Sequence, residues 1–368
     1  MTDDSGAGAL VPLGGDLPLD RRSVLGAGAA VGLGLALAGS GALVGPSYGA
    51  PRVDRVLARG LEVPWGLAFL PRGDALVAER TTGRIYRVRR TGGKRLVGRV
   101  ATDAQGEGGL LGLAVHPGFA RGRNWVYAYV TTATDNRIIR MRFANNRLGP
   151  RRLVLAGIPK GFVHNGGRLR FGPGGMLFAS TGDAQDISLA QDRRSLAGKI
   201  LRLTPTGAVP RGNPFGNHVW SLGHRNVQGL VVDDKGRMWA SEFGQNRLDE
   251  MNRIVKGGNY GWPGVEGSDG PGGFRDPFVT WTPDECSPSG ITTAKGWAYV
   301  AALRGQSLWA VKLNGARAGR RVRLLEGRFG RIRTVERAPD GSLWIATSNR
   351  DGRGRPTADD DRVIRLVL

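Results

Sequence analysis

The sequence predicts an all-β fold, a six-bladed β-propeller of four-stranded antiparallel blades, on three observations. One two-strand pattern recurs six times along the chain. Its strands are short and rich in β-branched and aromatic residues, and no long segment of helical periodicity competes with them after the first fifty residues.

Residues 1–50 differ from the rest. Arg21 and Arg22 in "LDRRSVLG" precede "AGAAVGLGLALAGSGA", an apolar Gly/Ala stretch of signal-peptide length that ends in small residues. This reads as a twin-arginine export signal, with cleavage after Ala42 or after Ala50. The apolar run over 24–38 is too short and too weakly hydrophobic to span a bilayer. No cysteine near its end invites a lipid, so no membrane anchor is expected once the signal is removed. The expected destination is the periplasm, cell wall or medium, with residues 51–368 forming the propeller.

Cys286 is the only cysteine, which excludes an intrachain disulfide and a thiolate metal cluster. The formal charge is +22, from 53 Lys and Arg against 31 Asp and Glu. These charges are spread among acids and aromatics and do not gather in one tail or face, so no nucleic-acid partner is expected.

The repeats run in order from "PWGLAFLPRGDALVAERTTGRIYRV" at Pro64 and "GGLLGLAVHPGFARGRNWVYAYVTT" at Gly108 to "HNGGRLRFGPGGMLFASTGD" at His164. They continue with "HRNVQGLVVDDKGRMWASEFG" at His224, "PSGITTAKGWAYVAALRGQSLWAVKL" at Pro288 and "GRIRTVERAPDGSLWIATSNRDG" at Gly330. A spacing of about 45 to 65 residues gives each copy room for a four-stranded blade and its loops. Radial closure also hides the sheet edges that a sandwich would leave open.

Hairpin register then brings polar residues together. A turn centred between Pro173 and Gly174 places His164 opposite Asp183, and one centred between Asp234 and Lys235 places Arg225 opposite Gly244. In a propeller such open hairpin ends share one face around the central channel. That face is expected to carry Glu107, His164, Asp183, Arg225, Asn226, Gln228, Arg304, Arg331 and Arg333. Clustered guanidinium groups repel unless an anion sits among them, which implies a ligand with several carboxylates or phosphates. An imidazole held by a carboxylate suits general-base work near neutral pH. Glu107 in "GEGG" reads equally as a solvated loop carboxylate. His116 reads as structural, and His218 and His224 as structural or supporting residues, since no metal-ligand spacing links the histidines.

At these residues the chain resembles the pyrroloquinoline quinone (PQQ)-dependent sugar dehydrogenases, the soluble glucose dehydrogenase and aldose sugar dehydrogenase family. The resemblance rests on "GEGGLLGLAVHP", "HNGGRLRFGPGG" followed by "STGD", "SLAGKILRL", "GHRNVQGL", "SEFGQNRLDEMN", "GGNYGWP" and "GRIRTVERAPDGSLW", in that order across almost the whole expected propeller. It implies oxidation of an aldose sugar at the anomeric carbon to the lactone, with hydride passed to PQQ beside Ca2+ and on to an unidentified electron acceptor. It further implies His164 as general base, Asp183 as its orienting carboxylate and Arg225 over the sugar and quinone. Asn226, Gln228, Arg304, Arg331 and Arg333 would contact the cofactor, and Glu107 the substrate. The carbonyls of Gly244 and Gln245 would serve the cofactor calcium, and Glu250 with the Tyr260 carbonyl a structural calcium. Three departures stand out: Glu107 where the glucose dehydrogenase has Gln, Arg304 where it has Lys, and Gln245 where it has Pro. The first adds a negative charge near the substrate. The rival readings are a glycan- or protein-binding propeller without catalysis, and a lactone hydrolase, which would require a cluster of channel carboxylates.

Overall fold

The computed structural model describes residues 50–368, apart from 269, 271 and 316–318. The proposed export signal lies outside the described residues. Six antiparallel sheets form, one from each repeat. The inner strands of blades one to six are Pro64–Phe69, Leu110–Val115, Leu169–Phe171, Val227–Val232, Pro288–Ala294 and Ile332–Arg337. Each blade has four strands, and the second carries an extra short one, Arg147–Leu148. Among the described residues no helix is long and apolar enough to cross a membrane.

The last blade is completed from the other end of the domain. Strand Arg52–Ala58 pairs with Val363–Val367, with Arg52 opposite Val367 and Ala58 opposite Val363. This N-terminal strand, absent from the repeat pattern, closes the ring by covering what would be an exposed edge. Apolar faces of adjacent blades pack on one another. Trp239 and Trp344 are almost fully buried there, and each large side chain removed from water contributes about 1.5–3 kcal/mol.

Every inner strand breaks register once near its channel end. In the third blade the strands pair one residue away from the predicted register, Leu169 with Ala179 and Phe171 with Leu177. The reason is the turn: Pro173–Gly175 forms a three-residue 3-10 turn with Gly174 at φ 68°, which inserts one residue. A bulge at the other end then removes it, because Ser180 pairs with both neighbours: its N–H donates to Arg168 O and its carbonyl accepts from Gly167 N, each at 2.9 Å. The fourth blade does the same, shifting between Val227 and Gly229. Two one-residue differences cancel, so His164 and Asp183 face one another as the simple count expects.

Glycine is required at these bulges by close approach. A Cβ on Gly66 would lie 2.4 Å from Leu111 O, and one on Gly229 2.4 Å from Ser289 O. The inner strands of successive blades therefore touch backbone to backbone, which draws their polar ends around one narrow channel.

Candidate active site

His164 enters the third inner strand in the left-handed region at φ 60°. Gly182 lies against it, where a Cβ would sit 2.0 Å from His164 O, so the "HNGG" turn and "STGD" pack tightly. His164 Nδ1 lies 2.7 Å from Asp183 Oδ1. Asp183 is fully buried; its Oδ1 also accepts from Gln185 N at 3.0 Å and its Oδ2 from Trp262 Nε1 at 2.9 Å. Burial alone would raise this carboxyl, but the bond to and charge of His164, with the Gln185 and Trp262 donors, hold it below its ordinary value. An ionised carboxylate only accepts, so the imidazole proton stays on Nδ1 and the Nε2 lone pair is left for the cavity that His164 lines.

That cavity has a volume of about 510 Å³ and is also lined by Glu107, Arg225, Gly244, Gln245, Arg304 and Arg331. Arg225 lies 5.4 Å from the Trp262 ring centre, and its Nε is buried without a hydrogen-bond partner. Its backbone is fixed by Glu242, which accepts from Arg225 N and bonds His224 Nδ1 at 2.8 Å. His224 therefore supports the site through Glu242. His116 Nδ1 accepts from Gly118 N and His218 bonds Gly207 O, both local structural contacts.

Asn226 Oδ1 accepts from Gly166 N and from Gln228 Nε2, while its own Nδ2 has no partner. Gln228 Oε1 accepts from Arg333 at 3.2 Å. Arg331 donates through two nitrogens to Asp351 Oδ2, both at 3.0 Å, and Arg333 reaches the same oxygen at 3.4 Å. Burial, with Arg331 and Arg80 alongside, pushes Arg333 down to about 10 despite Asp351. Arg304 is exposed and pairs with Asp284 at 2.5 Å on the cavity rim.

Glu107 does not present a free charge. Its Oε1 accepts from Arg353 at 2.9 Å and its Oε2 from His164 N at 3.3 Å. The negative charge expected near the substrate is thus neutralised by an arginine 246 residues away in sequence.

Of the residues expected to serve metal, Gly244 and Gln245 line the large cavity beside Asp249. Glu250 and Tyr260 line a small one of about 10 Å³ together with Glu242 and Glu266. Burial and the neighbouring Glu242 charge push Glu250 up to about 8. Among the described residues, no three His, Cys, Asp or Glu side chains form a metal-binding group by themselves. Glu266 Oε1 instead accepts from the amides of Gln245, Arg247 and Leu248, shaping the loop that carries the two carbonyl positions.

The sequence profile of the glucose/sorbosone dehydrogenase family matches residues 61–358. The chain belongs to that family. It is 30% identical to an aldose sugar dehydrogenase of Escherichia coli over 81% of this chain and 90% of that one. It is 34% identical to quinoprotein glucose dehydrogenase B of Acinetobacter calcoaceticus over 60% of this chain and 54% of that one. Among solved structures, the PQQ-bound form of aldose sugar dehydrogenase from Streptomyces coelicolor superposes with a TM-score of 0.83. That match is at 51% identity and covers 86% of this chain and 97% of that one.

In this member of the sugar dehydrogenase family the structure brings four further residues to the candidate site that the sequence did not single out: Arg80, Trp262, Asp351 and Arg353. Trp262 sits in "GGNYGWP", and Asp351 and Arg353 follow the second strand of the last repeat in "SNRDGRG", so their motifs were visible although their contacts were not. Asp351 is raised by burial but held below its ordinary value overall by Arg333 and Arg331. A carboxyl depressed by folding contributes stability that is complete above its unfolded value, about 3.9, and is lost as pH falls through its folded value. Asp351→Asn is therefore expected to melt below wild type at neutral pH, with the gap closing under about pH 4. A gap that stayed constant to pH 2 in thermal melts would remove the ion pair as its cause.

Proposed function

We propose that this protein is an exported quinoprotein that oxidises an aldose at its anomeric carbon to the lactone. The observation that carries the reading is the His164–Asp183 pair on the wall of the 510 Å³ cavity, with a lone pair left on His164 Nε2.

PQQ suits the donors present. Arg225 Nε, Asn226 Nδ2 and Arg333 Nε are buried without partners, and an acceptor-rich polycarboxylate would satisfy them. Asn226, Gln228, Arg304, Arg331 and Arg333 would hold it. Calcium suits the Gly244 and Gln245 carbonyls beside Asp249, and a second ion suits Glu250 with the Tyr260 carbonyl, where the neighbouring Glu242 and Glu266 outnumber the single cation Arg225. When bound, PQQ and its calcium supply an electrophilic two-electron acceptor for the C1 hydride.

The chain's own residues do the rest. His164 Nε2 takes the proton from the anomeric hydroxyl, and Asp183 stabilises the imidazolium and fixes its tautomer through Nδ1. Trp262 and Gln185 lock Asp183, and Arg225, which lines the same cavity, orients the sugar oxygens. Electrons would leave to an external acceptor.

Reconstitution with PQQ and calcium, followed by dye reduction with several aldoses, tests the reading. Absence of both a quinone spectral change and dye reduction would favour a binding propeller without catalysis. Calcium has its own test. Adding it to chelator-treated protein is expected to raise Tm by about 5 °C, as for a ligand well above its Kd. Glu250→Gln is expected to raise the Tm of the stripped form and to reduce the calcium increment to the share of the ion at the Gly244 and Gln245 carbonyls. An unchanged calcium response in that variant would rule out Glu250 as a ligand.

A further inference from the structure

A second cavity of about 250 Å³ adjoins the first and shares Glu107 and Arg353 with it. Trp65, Arg80 and Arg333 line it, together with Phe162, which is 65% exposed. Its charges do not balance. Arg80 and Arg333 are each only 8% exposed, and in both the Nε atom has no partner. Arg80 makes no ion pair among the described residues; its guanidinium donates only to the carbonyls of Gly106 and Gly108. Asp351 is divided between Arg331 and Arg333, and Glu107 is taken by Arg353. Of the charged residues lining this cavity, Arg80, Arg333 and Arg353 thus face two carboxylates, leaving a surplus of one positive charge, that of the buried Arg80. The surplus calls for an anion, and the unpartnered Nε–H of Arg80, which the expected cofactor contacts leave free, matches an oxyanion's oxygen.

We propose that this smaller cavity is a separate oxyanion-binding site whose occupant is a phosphate group. The phosphate is either free or carried on the sugar that reaches His164. Only the second source rests on the sugar-oxidation reading. In it the sugar ring lies against the exposed Phe162 face while its phosphate reaches Arg353 and Arg80, so the site would select for acidic aldoses.

The experiment begins with protein free of PQQ, titrated with inorganic phosphate by calorimetry at low ionic strength. One saturable site is expected, weakened about tenfold or more both in Arg80→Lys and in Arg353→Ala, as for loss of a charge-assisted hydrogen bond. Arg80→Lys keeps the net charge, so its effect cannot come from the basic surface. Arg353 is exposed, so its removal leaves the fold intact. No saturable binding, or binding indifferent to both variants, overturns the proposal. The titration is then repeated with PQQ bound. Retained phosphate binding supports a separate site, whereas its abolition assigns the cavity to the cofactor's own carboxylates and overturns it. In the loaded enzyme, kcat/KM for glucose 6-phosphate above that for glucose, with the ratio falling in Arg353→Ala, identifies the sugar-borne source. A ratio below one beside retained phosphate binding identifies the free anion. If no sugar is oxidised at all, the function reading fails while the first titration still decides the site.

Discussion

Replacing His164 by asparagine in PQQ- and calcium-loaded protein is expected to lower kcat for aldose oxidation by roughly 10²–10⁴-fold, the loss that follows removal of a positioned general base. Asparagine is the informative replacement because His164 stands at φ 60° with its N–H on Glu107 and its carbonyl accepting from Ala184 N. Asparagine tolerates that left-handed backbone and cannot take the proton. His164→Ala is expected to lose activity as well, with an added backbone cost. PQQ affinity should change little, since its expected contacts come from the fourth, fifth and sixth blades. Stopped-flow reduction of the quinone and a binding titration measure the two quantities separately. Turnover like that of wild type would remove His164 from the reaction, and equal loss of binding and turnover would make it a cofactor ligand.

Asp183→Asn is expected to cost roughly 10²-fold or more in kcat for a different reason. The carboxylate now accepts from three donors, His164 and Gln185 at Oδ1 and Trp262 at Oδ2. An amide has one oxygen, so its NH2 must face either the indole N–H or the imidazole Nδ1. The first arrangement opposes the amide and indole donors, at about 1–3 kcal/mol, and holds the imidazole through a neutral acceptor only. The second forces the proton onto Nε2, where the base is needed. Loss of the negative charge also removes the stabilisation of the imidazolium that forms during proton transfer, which lowers the maximum rate. Because the two residues act as one unit, the double variant should be little slower than His164→Asn alone. Multiplying losses would mean that Asp183 acts independently.

The blades were legible because their determinants are local. Alternating strands such as "LWIAT" and "WVYAYV", and turns such as "PGG" and "DDKG", repeat within each unit, and each repeat became one sheet. The pairing of His164 with Asp183 was legible too, although by a route that hid two opposite one-residue shifts, the 3-10 turn at Pro173–Gly175 and the bulge at Ser180. The strand Arg52–Ala58 was not, because it resembles no repeat and acquires its role only by pairing with the far end of the chain.

The same division runs through the site. By itself the sequence determined the all-β propeller, the six repeats, the family and the set of polar residues at the channel mouth, since each follows from short spacings and turn chemistry. Only the tertiary structure decided how their charges are shared. It placed Arg353 on Glu107 and both Arg331 and Arg333 on Asp351, and it tied Trp262 to Asp183 while Arg80 and Arg225 kept unpartnered nitrogens. The physical reason is that these partners come from different blades. A guanidinium's partner depends on which side chains the closed ring brings within about 3 Å, and local pattern carries no record of that.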